Sequence, residues 1–271
     1  MRLVKKLKYF LVRFFRILSD RYERSQNAFL NPSKTTEATP GWSVVVITNG
    51  ANNESLLTLI ESVKTELSGT PYEIIIVGPL FLSSSREVGI IRHIPYRELK
   101  LPFVSGWITL KKNIGVRASR YDKIVVCHDY IILKKGWKNG FDSFGSFDVA
   151  SNIFLNKDGS RHKDWITLDY PGIGRGLLPY HAECTKYQYL NGAYFVVRRD
   201  FFLENPLNEQ LRWGESEDIE WSRRIREKTI FRFNQQSSIT YSKQKPGNNA
   251  EWDLGTKQLE KMFDDSTFVQ S

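Results

Sequence analysis

Residues 42–77 have the sequence WSVVVITNGANNESLLTLIESVKTELSGTPYEIIIV, and this stretch decides the fold class. Its two ends, 43–48 and 73–77, are β-branched runs without polar alternation, as expected of strands buried on both faces of a sheet. Between them, over 53–67, apolar residues recur at three- and four-residue steps, the spacing of one helix face. The order strand, helix, strand predicts a β-α-β unit in a parallel sheet.

The same alternation continues downstream. We expect a helix over 108–119, a buried strand over 124–127, and further strands over 149–154, 194–197 and 230–233. The prediction is an α/β fold over 42–245, with a mixed, mainly parallel central sheet flanked by helices. Residues 31–41 contain two prolines and small polar residues and are predicted to be a linker. Residues 246–271 are treated as a C-terminal extension with one short helix around 257–263.

The chain has 271 residues, enough for one substantial domain and an appendage. The net charge is +9, and six of these nine units lie within residues 1–24. Such an excess favours phosphate-rich or anionic partners. The two cysteines, Cys127 and Cys184, do not form a CxxC pair, so a disulfide framework or zinc site has no support and a reducing cytosol is expected.

Residues 1–30 are predicted to form a basic amphipathic helix, since the apolar residues of 3–18 share one helix face and the basic ones lie largely opposite. Such a helix can lie in the headgroup region of an anionic membrane. Arg13 and Arg16 interrupt the apolar run, so a spanning helix is not expected. The alternative is a helix that packs on its own domain or on a partner subunit. We expect a cytoplasmic protein, peripheral on the inner face of the plasma membrane, without nucleic-acid binding.

Polar residues end two of the buried runs. In open α/β sheets, ligands bind outside the carboxyl ends of the strands, which makes Thr48-Asn49 and His128-Asp129 candidates for chemistry. No GxGxxG follows the first strand and no GxxxxGK[ST] occurs, which disfavours a dinucleotide or P-loop site. Asp129, with His128 beside it, is predicted to bind a hard divalent cation. The alternative is that Asp129 only caps a helix or forms a turn.

A second cluster is WGESEDIEWSRR at 213–224. Ser216 is predicted to be a helix N-cap, with Glu217 and Asp218 in the first turn, where the helix dipole favours carboxylates. A capped helix would explain this pattern by itself. The functional hypothesis is that one of the two carboxylates is a general base. Arg223 and Arg224 are candidates for binding phosphate, or for pairing with Glu220.

In order and spacing, these motifs resemble the family 2 type of GT-A glycosyltransferases over about residues 42–241. WSVVVITNG with NNESLLTLIESV resembles that family's opening strand and first helix. LKKNIGVRASRYDKIVVCHDYIIL resembles its stretch leading to a metal-binding DxD-type motif. NGAYFVVRRDFF with GESEDIEWSRRIRE is similar to its acceptor-side segment and the helix with the ED motif. The resemblance implies a GT-A (Rossmann-like) fold.

On the donor side, the resemblance places Thr48 and the neighbouring Asn49 beside the nucleotide and Asp129 on Mn²⁺ or Mg²⁺. It places Lys112 and Asn113 near the donor's ribose or diphosphate. The chain departs from the family pattern twice: Gly78-Pro79 replaces an Asp-Asp pair, and His128-Asp129-Tyr130 replaces DxD.

On the acceptor side, the resemblance implies that Asp218 is the general base and Glu217 its neighbour. It also places Asn191 and Gly192 at the acceptor cleft, although an ordinary turn is the alternative there. Two aromatic and two basic side chains complete the candidates. The tryptophans Trp213 and Trp221 are expected to stack on a sugar or to lie in the core. The lysines Lys243 and Lys245 are expected to close over the donor phosphates.

The implied activity is transfer of a sugar, expected to be a hexosyl group, from a nucleotide-sugar donor to a hydroxyl of a glycan or lipid-linked acceptor. UDP-sugars are the favoured donors, and the transfer is expected to be inverting and metal-assisted. Bacterial-type surface polysaccharide synthesis is the expected setting. The alternative is a catalytically silent GT-A domain that acts as a membrane-associated binding module.

Overall fold

The computed structural model describes residues 2–30, 37–79, 90–182, 186–247 and 250–266. The helices are α1 (Arg2–Asn27), α2 (Asn53–Glu66), α3 (Ile108–Ala118), α4 (Trp137–Asp142), α5 (Arg199–Glu204), α6 (Glu217–Ile225) and α7 (Ala250–Ser266). The strands are β1 (Thr39–Ile47), β2 (Tyr72–Gly78), β3 (Ile91–Pro95), β4 (Tyr121–His128), β5 (Ile131–Leu133), β6 (Val149–Leu155), β7 (Ile166–Tyr170), β8 (Gly174–Leu177), β9 (Gln188–Tyr189), β10 (Tyr194–Arg198) and β11 (Phe231–Tyr241).

Eight strands form the central sheet, in the order β3-β2-β1-β4-β10-β6-β11-β5. The pairs β3-β2, β2-β1, β1-β4 and β6-β11 are parallel. Strand β10 runs antiparallel to both neighbours, and β5 runs antiparallel to β11. The sheet is therefore mixed and mainly parallel, and the predicted fold class is confirmed.

Both faces of this sheet are covered, as the unbroken apolar runs predict. Val45 and Ile75 belong to one buried cluster, with side chains of α3, α5 and α6. Val44 and Ile74 belong to the other, with side chains of α2 and α4. Adjacent strand residues point to opposite faces, so each run contributes to two cores.

The C-terminal extension is part of the folded domain. Helix α7 packs on a small sheet of order β8-β7-β9: Leu259 is fully buried, and the backbone N–H of Leu177 donates to Thr256 Oγ1 at 3.0 Å. The helix is longer than the predicted one around 257–263. Strand β1 also begins earlier than expected, at Thr39, inside the predicted linker, of which 31–36 lie outside the described residues.

Helix α1 is docked on the domain through its polar face. The guanidinium of Arg212, which is 1% exposed, lies 2.7 Å from Asp20 Oδ1 and 3.2 Å from Glu23 Oε1. Glu23 is fully buried and also accepts hydrogen bonds of 2.6 Å from Ser19 Oγ and from Tyr96 Oη. Because two carboxylates and the Ser19 hydroxyl of α1 converge on one guanidinium, α1 is an integral element and not a separately tethered helix.

The apolar face of α1 points away from the domain. Phe14 and Glu23 are nine residues apart, which at about 100° per residue places them on opposite sides of the helix. Leu7, Phe10, Phe14 and Ile17, at three- and four-residue steps, are 43–63% exposed. Of the alternatives for this helix, the structure shows packing on its own domain, through polar side chains opposite this apolar face. Within the described ranges, the structure contains no helix long and apolar enough to cross a bilayer.

Candidate active site

A cleft of about 490 Å³ opens at the carboxyl ends of β1 and β4. Thr48 directly follows β1, and Asp129 directly follows β4; both line this cleft, with Asn49 and His128. The two strands are parallel neighbours, with Ile47 opposite His128, so the segments that follow them meet at one edge of the sheet. We call this space the first cleft.

Two carboxylates line the first cleft, Glu98 and Asp129, and Asp129 is the one at the strand ends. It is 4% exposed, and its Oδ2 accepts a hydrogen bond of 2.6 Å from Thr48 Oγ1. Burial raises the pKa of Asp129, while the Thr48 hydrogen bond and the nearby ammonium groups of Lys243 and Lys111 lower it. The side chain is thus held in a fixed orientation at the strand end, and an incoming cation would favour its charged form.

Lysines surround this carboxylate. Lys111 reaches the cleft from α3, where its Nζ lies 3.1 Å from Glu98 Oε2 and 3.3 Å from the carbonyl oxygen of Thr48. Lys243 and Lys245 line the cleft from the segment after β11, and the Lys245 ammonium lies 3.9 Å from the ring centroid of Tyr130. A cleft with several ammonium groups favours a phosphate-bearing ligand.

His128 is suited to metal binding in one respect. Its Nε2 is buried and has no hydrogen-bond partner among the described residues. Burial, with the charges of Lys112, Lys245 and Lys111, holds its pKa well below the ordinary value, so the ring is the neutral form that a metal ligand requires.

The donor set is nonetheless small. Within the described part of the chain, His, Cys, Asp and Glu side chains do not form a group of three or more that can hold a metal. Mg²⁺ is commonly bound by one or two carboxylates together with substrate phosphates and water. Asp129 and His128 therefore fit a divalent cation that shares its ligands with a bound diphosphate, rather than a site made by the protein alone.

A second cleft of about 370 Å³ adjoins the first. The two share four lining residues, His128, Tyr130, Trp213 and Lys245, so the clefts adjoin each other. The second cleft is also lined by four predicted site residues, Asn191, Gly192, Glu217 and Asp218. Ser216, the predicted N-cap residue, lines it too.

Asp218 and Gly192 are in direct contact in the second cleft. Asp218 Oδ2 accepts a hydrogen bond of 3.0 Å from the backbone N–H of Gly192. A Cβ at position 192 would lie 2.8 Å from Glu217 Oε1 and 3.0 Å from Asp218 Oδ2. Only glycine allows this close approach, which orients the carboxylate. Asn191 forms an Asx-type turn here, since its Oδ1 accepts from the N–H of Ala193 at 2.9 Å.

Lys112 supports Glu217 from the interior of the domain. The Lys112 ammonium is fully buried, donates to the carbonyl oxygen of Gly192 at 2.7 Å and lies 3.7 Å from Glu217 Oε1. Burial raises the pKa of Glu217 and lowers that of Lys112, while their mutual attraction opposes both changes. Lys112 thus supports the carboxylates instead of lining a cleft.

Several predicted site residues lie elsewhere. Asn113 is buried and bonds to the backbone of Leu207 and to Glu209, so neither it nor Lys112 is placed to contact a ribose or diphosphate. Arg223 bonds to Tyr189 Oη at 3.0 Å, and Arg224 to Glu220 at 3.0 Å, on a surface outside both clefts. For Arg224, pairing with Glu220 is the alternative that the structure supports.

The two tryptophans differ. Trp221 is 1% exposed and belongs to the core, whereas Trp213 is 61% exposed and lines both clefts. Ser216 occupies the N-cap position of α6 but adopts a left-handed conformation with φ 61° and makes no side-chain capping hydrogen bond. The expected hydroxyl cap is therefore wrong. The first-turn carboxylates of α6 contact the 191–193 segment and Lys112, so capping alone does not explain them.

Sequence reasoning missed several lining residues. Lys111 was overlooked in favour of Lys112, although the two differ by about 100° around the helix. Tyr130 follows the His128-Asp129 pair directly and lines both clefts. The segment 98–106 forms one wall of the first cleft, but its sequence has no periodic signal. His162 lines the second cleft from outside the regular strands.

Comparisons with known proteins give a remote likeness only. No protein-family model matches the sequence, and no curated protein matches it. The crystal structure of S. aureus TarS 1-349 aligns with 74% of this chain and 60% of its own length, at 13% identity and a TM-score of 0.48. Its complex with UDP-GlcNAc aligns with 78% of this chain and 60% of its own, at 14% identity and a TM-score of 0.48. The chain thus spans about 60% of that TarS fragment, and a likeness this remote identifies neither a family nor a ligand.

Proposed function

We propose that this chain is a glycosyltransferase that moves a sugar, as a hexosyl group, from a nucleotide-sugar to an acceptor hydroxyl. One observation carries the proposal: a lysine-lined cleft at the carboxyl ends of parallel strands adjoins a cleft that presents an oriented carboxylate. The first suits a nucleoside diphosphate, and the second suits a hydroxyl that must lose its proton.

In the first cleft, the diphosphate of the donor lies among Lys111, Lys243 and Lys245, and Thr48 and Asn49 contact the nucleotide. These ammonium groups stabilise the charge that develops on the leaving diphosphate. Mn²⁺ or Mg²⁺ held by Asp129 and His128 would, when bound, add further charge neutralisation there. UDP-sugars are the donors to test first.

In the second cleft, Asp218 takes the proton of the acceptor hydroxyl. The hydroxyl oxygen forms a bond to the anomeric carbon, the bond from that carbon to the diphosphate oxygen breaks, and the nucleoside diphosphate leaves with the electron pair. A single displacement of this kind inverts the anomeric centre. The backbone N–H of Gly192 orients Asp218, and Lys112 pairs with the neighbouring Glu217.

The test begins with thermal-shift measurements of nucleotide-sugars with and without Mn²⁺, because a ligand of the folded state raises its stability. We expect a shift with one donor, increased by Mn²⁺ and reduced in Asp129→Ala. Asp218→Asn is expected to keep this shift but to lose about 10²-fold or more in transfer. Glu220→Gln, on the same helix and outside the clefts, is the matched control.

Three outcomes decide the proposal. Transfer that survives Asp218→Asn unchanged would exclude Asp218 as the base. Donor binding without transfer or donor hydrolysis in the unmodified protein would favour the silent binding module, which Gly78-Pro79 and the small metal donor set also suggest. No shift with any nucleotide-sugar would contradict both.

We also propose a peripheral location at the inner face of the plasma membrane, in the synthesis of bacterial-type surface polysaccharide. Support comes from the exposed apolar face of α1 and from the exposed cations Lys5, Lys6, Lys8 and Arg13 on the same helix. Phe10→Glu/Phe14→Glu is expected to abolish sedimentation with anionic liposomes. Deleting the helix is the poorer test, because it would leave Arg212 buried without Asp20 and Glu23.

A further inference from the structure

The docked helix α1 contacts two segments whose residues line the clefts. The Lys8 ammonium is 5.7 Å from the ring centroid of Phe103, and Arg16 pairs with Glu215. Arg212, which anchors the helix through Asp20, also donates to the carbonyl oxygen of Ser105 at 2.8 Å. The helix is thus joined to both segments that form the rim of the clefts, 101–106 and 212–215.

Two large aromatic side chains stand exposed on this rim. Phe103 is 62% exposed and is held in a left-handed conformation with φ 64°. Trp213 is 61% exposed, and its backbone N–H donates to the carbonyl oxygen of Gly106 at 3.1 Å, which ties the two rim segments together. Exposed aromatic rings beside a basic amphipathic helix are the residues that favour the water–lipid interface.

We propose that the outer face of α1, together with Phe103 and Trp213, docks on an anionic lipid surface, so that the clefts open at the membrane and receive a lipid-borne acceptor. The acceptor class rests on the proposed glycosyltransferase function; the docking geometry does not. The acceptor's hydroxyl would reach Asp218 past Trp213, which lines both clefts.

A lipid surface fits this face better than a second copy of the chain. Lys5, Lys6, Lys8 and Arg13 are all exposed on α1, and pairing two such helices would bring like charges together. Anionic headgroups, by contrast, neutralise the same cations. Apolar rings and side chains of α1 would at the same time enter the acyl boundary.

Tryptophan fluorescence tests the docking directly. The other six tryptophans are at most 8% exposed, so quenching by lipids with brominated acyl chains reports on Trp213. With anionic vesicles we expect clear quenching in the full chain, and its loss in Trp213→Phe and in Phe10→Glu/Phe14→Glu. Leu254→Glu, on α7 and equally exposed, is the control that should keep it.

Vesicle binding without quenching of Trp213 would overturn the orientation, and no binding would overturn the docking. Dimerisation that Phe10→Glu/Phe14→Glu abolishes, in the absence of vesicle binding, would assign the face to a second copy. None of these measurements uses a donor, so failure here is distinguishable from failure of the glycosyltransferase proposal.

The acceptor class is tested with the labelled donor that gives the thermal shift and with vesicles of bacterial membrane lipid extract. We expect label in the organic phase after extraction, reduced at least tenfold by Phe10→Glu/Phe14→Glu but not by Leu254→Glu. Label that stays in the aqueous phase, or transfer that proceeds equally without vesicles, would overturn the lipid-borne acceptor.

Discussion

Arg212→Met is expected to destabilise the protein strongly, because it removes the one guanidinium that faces two α1 carboxylates. Glu23 is fully buried, and without Arg212 its charge keeps the hydrogen bonds from Ser19 and Tyr96 but loses its ion pair. Removing one partner of a buried pair costs about 3–5 kcal/mol. Chemical denaturation should show this loss in the free energy of unfolding.

The buried ion pair of Arg212 and Glu23 also predicts a rescue. Glu23→Gln in the Arg212→Met background removes the stranded charge while keeping a side chain that can bond to Ser19 and Tyr96, so part of the lost stability should return. Arg224→Met, which breaks an ion pair on the surface of α6, is the matched control and should cost no more than about 0.5 kcal/mol. A loss below 1 kcal/mol in Arg212→Met would refute the buried network as the anchor of α1.

Three further predictions follow from single positions. Gly192→Ala should cut transfer at least tenfold with little change in donor binding, because its Cβ would displace the Asp218 carboxylate; unchanged turnover would contradict that contact. Gly255→Ala should destabilise the protein by about 1–3 kcal/mol, since its Cβ would lie 2.0 Å from the carbonyl oxygen of Arg175. Gly247→Ala, whose Cβ would lie in open space, is the control and should leave the free energy of unfolding unchanged in chemical denaturation. Burial lowers the pKa of His162 to about 4, so the neutral ring's contribution to stability is complete above the ordinary histidine pKa of 6.5 and is lost as the pH falls towards 4. His162→Gln should therefore reduce the difference in the free energy of unfolding between pH 7 and pH 4. An unaltered pH profile would argue against a buried neutral ring.

The central sheet could be predicted because local and tertiary preferences agree there. Residues 43–48 and 73–77 form β1 and β2 because β-branched side chains pack on both faces of a sheet, and 53–67 shows the period of a half-buried helix. Strands β3 and β5 and the small sheet were not predicted, since short, partly polar segments have no distinct period.

The candidate site was harder to predict because it depends on the phase of helices and on buried polar groups. In α3 almost every residue is buried, so the sequence does not distinguish Lys111, which lines a cleft, from Lys112, which lies beneath one. For α1, amphipathicity normally indicates which face packs on the domain. Here the polar face packs instead, because Arg212, far away in sequence, supplies the countercharge for Glu23.

The reversed strand β10 has a consequence for how such a site can change. Strand β10 starts at the edge of the sheet where β4 ends, because the two strands are antiparallel. There the backbone N–H of His128, at the end of β4, donates to the carbonyl oxygen of Ala193, just before β10. The first cleft is formed by segments that leave the sheet, and the Gly192 side of the second cleft by a segment that returns to it. Changes of length before Asn191 can therefore reshape the second cleft while leaving the first unchanged.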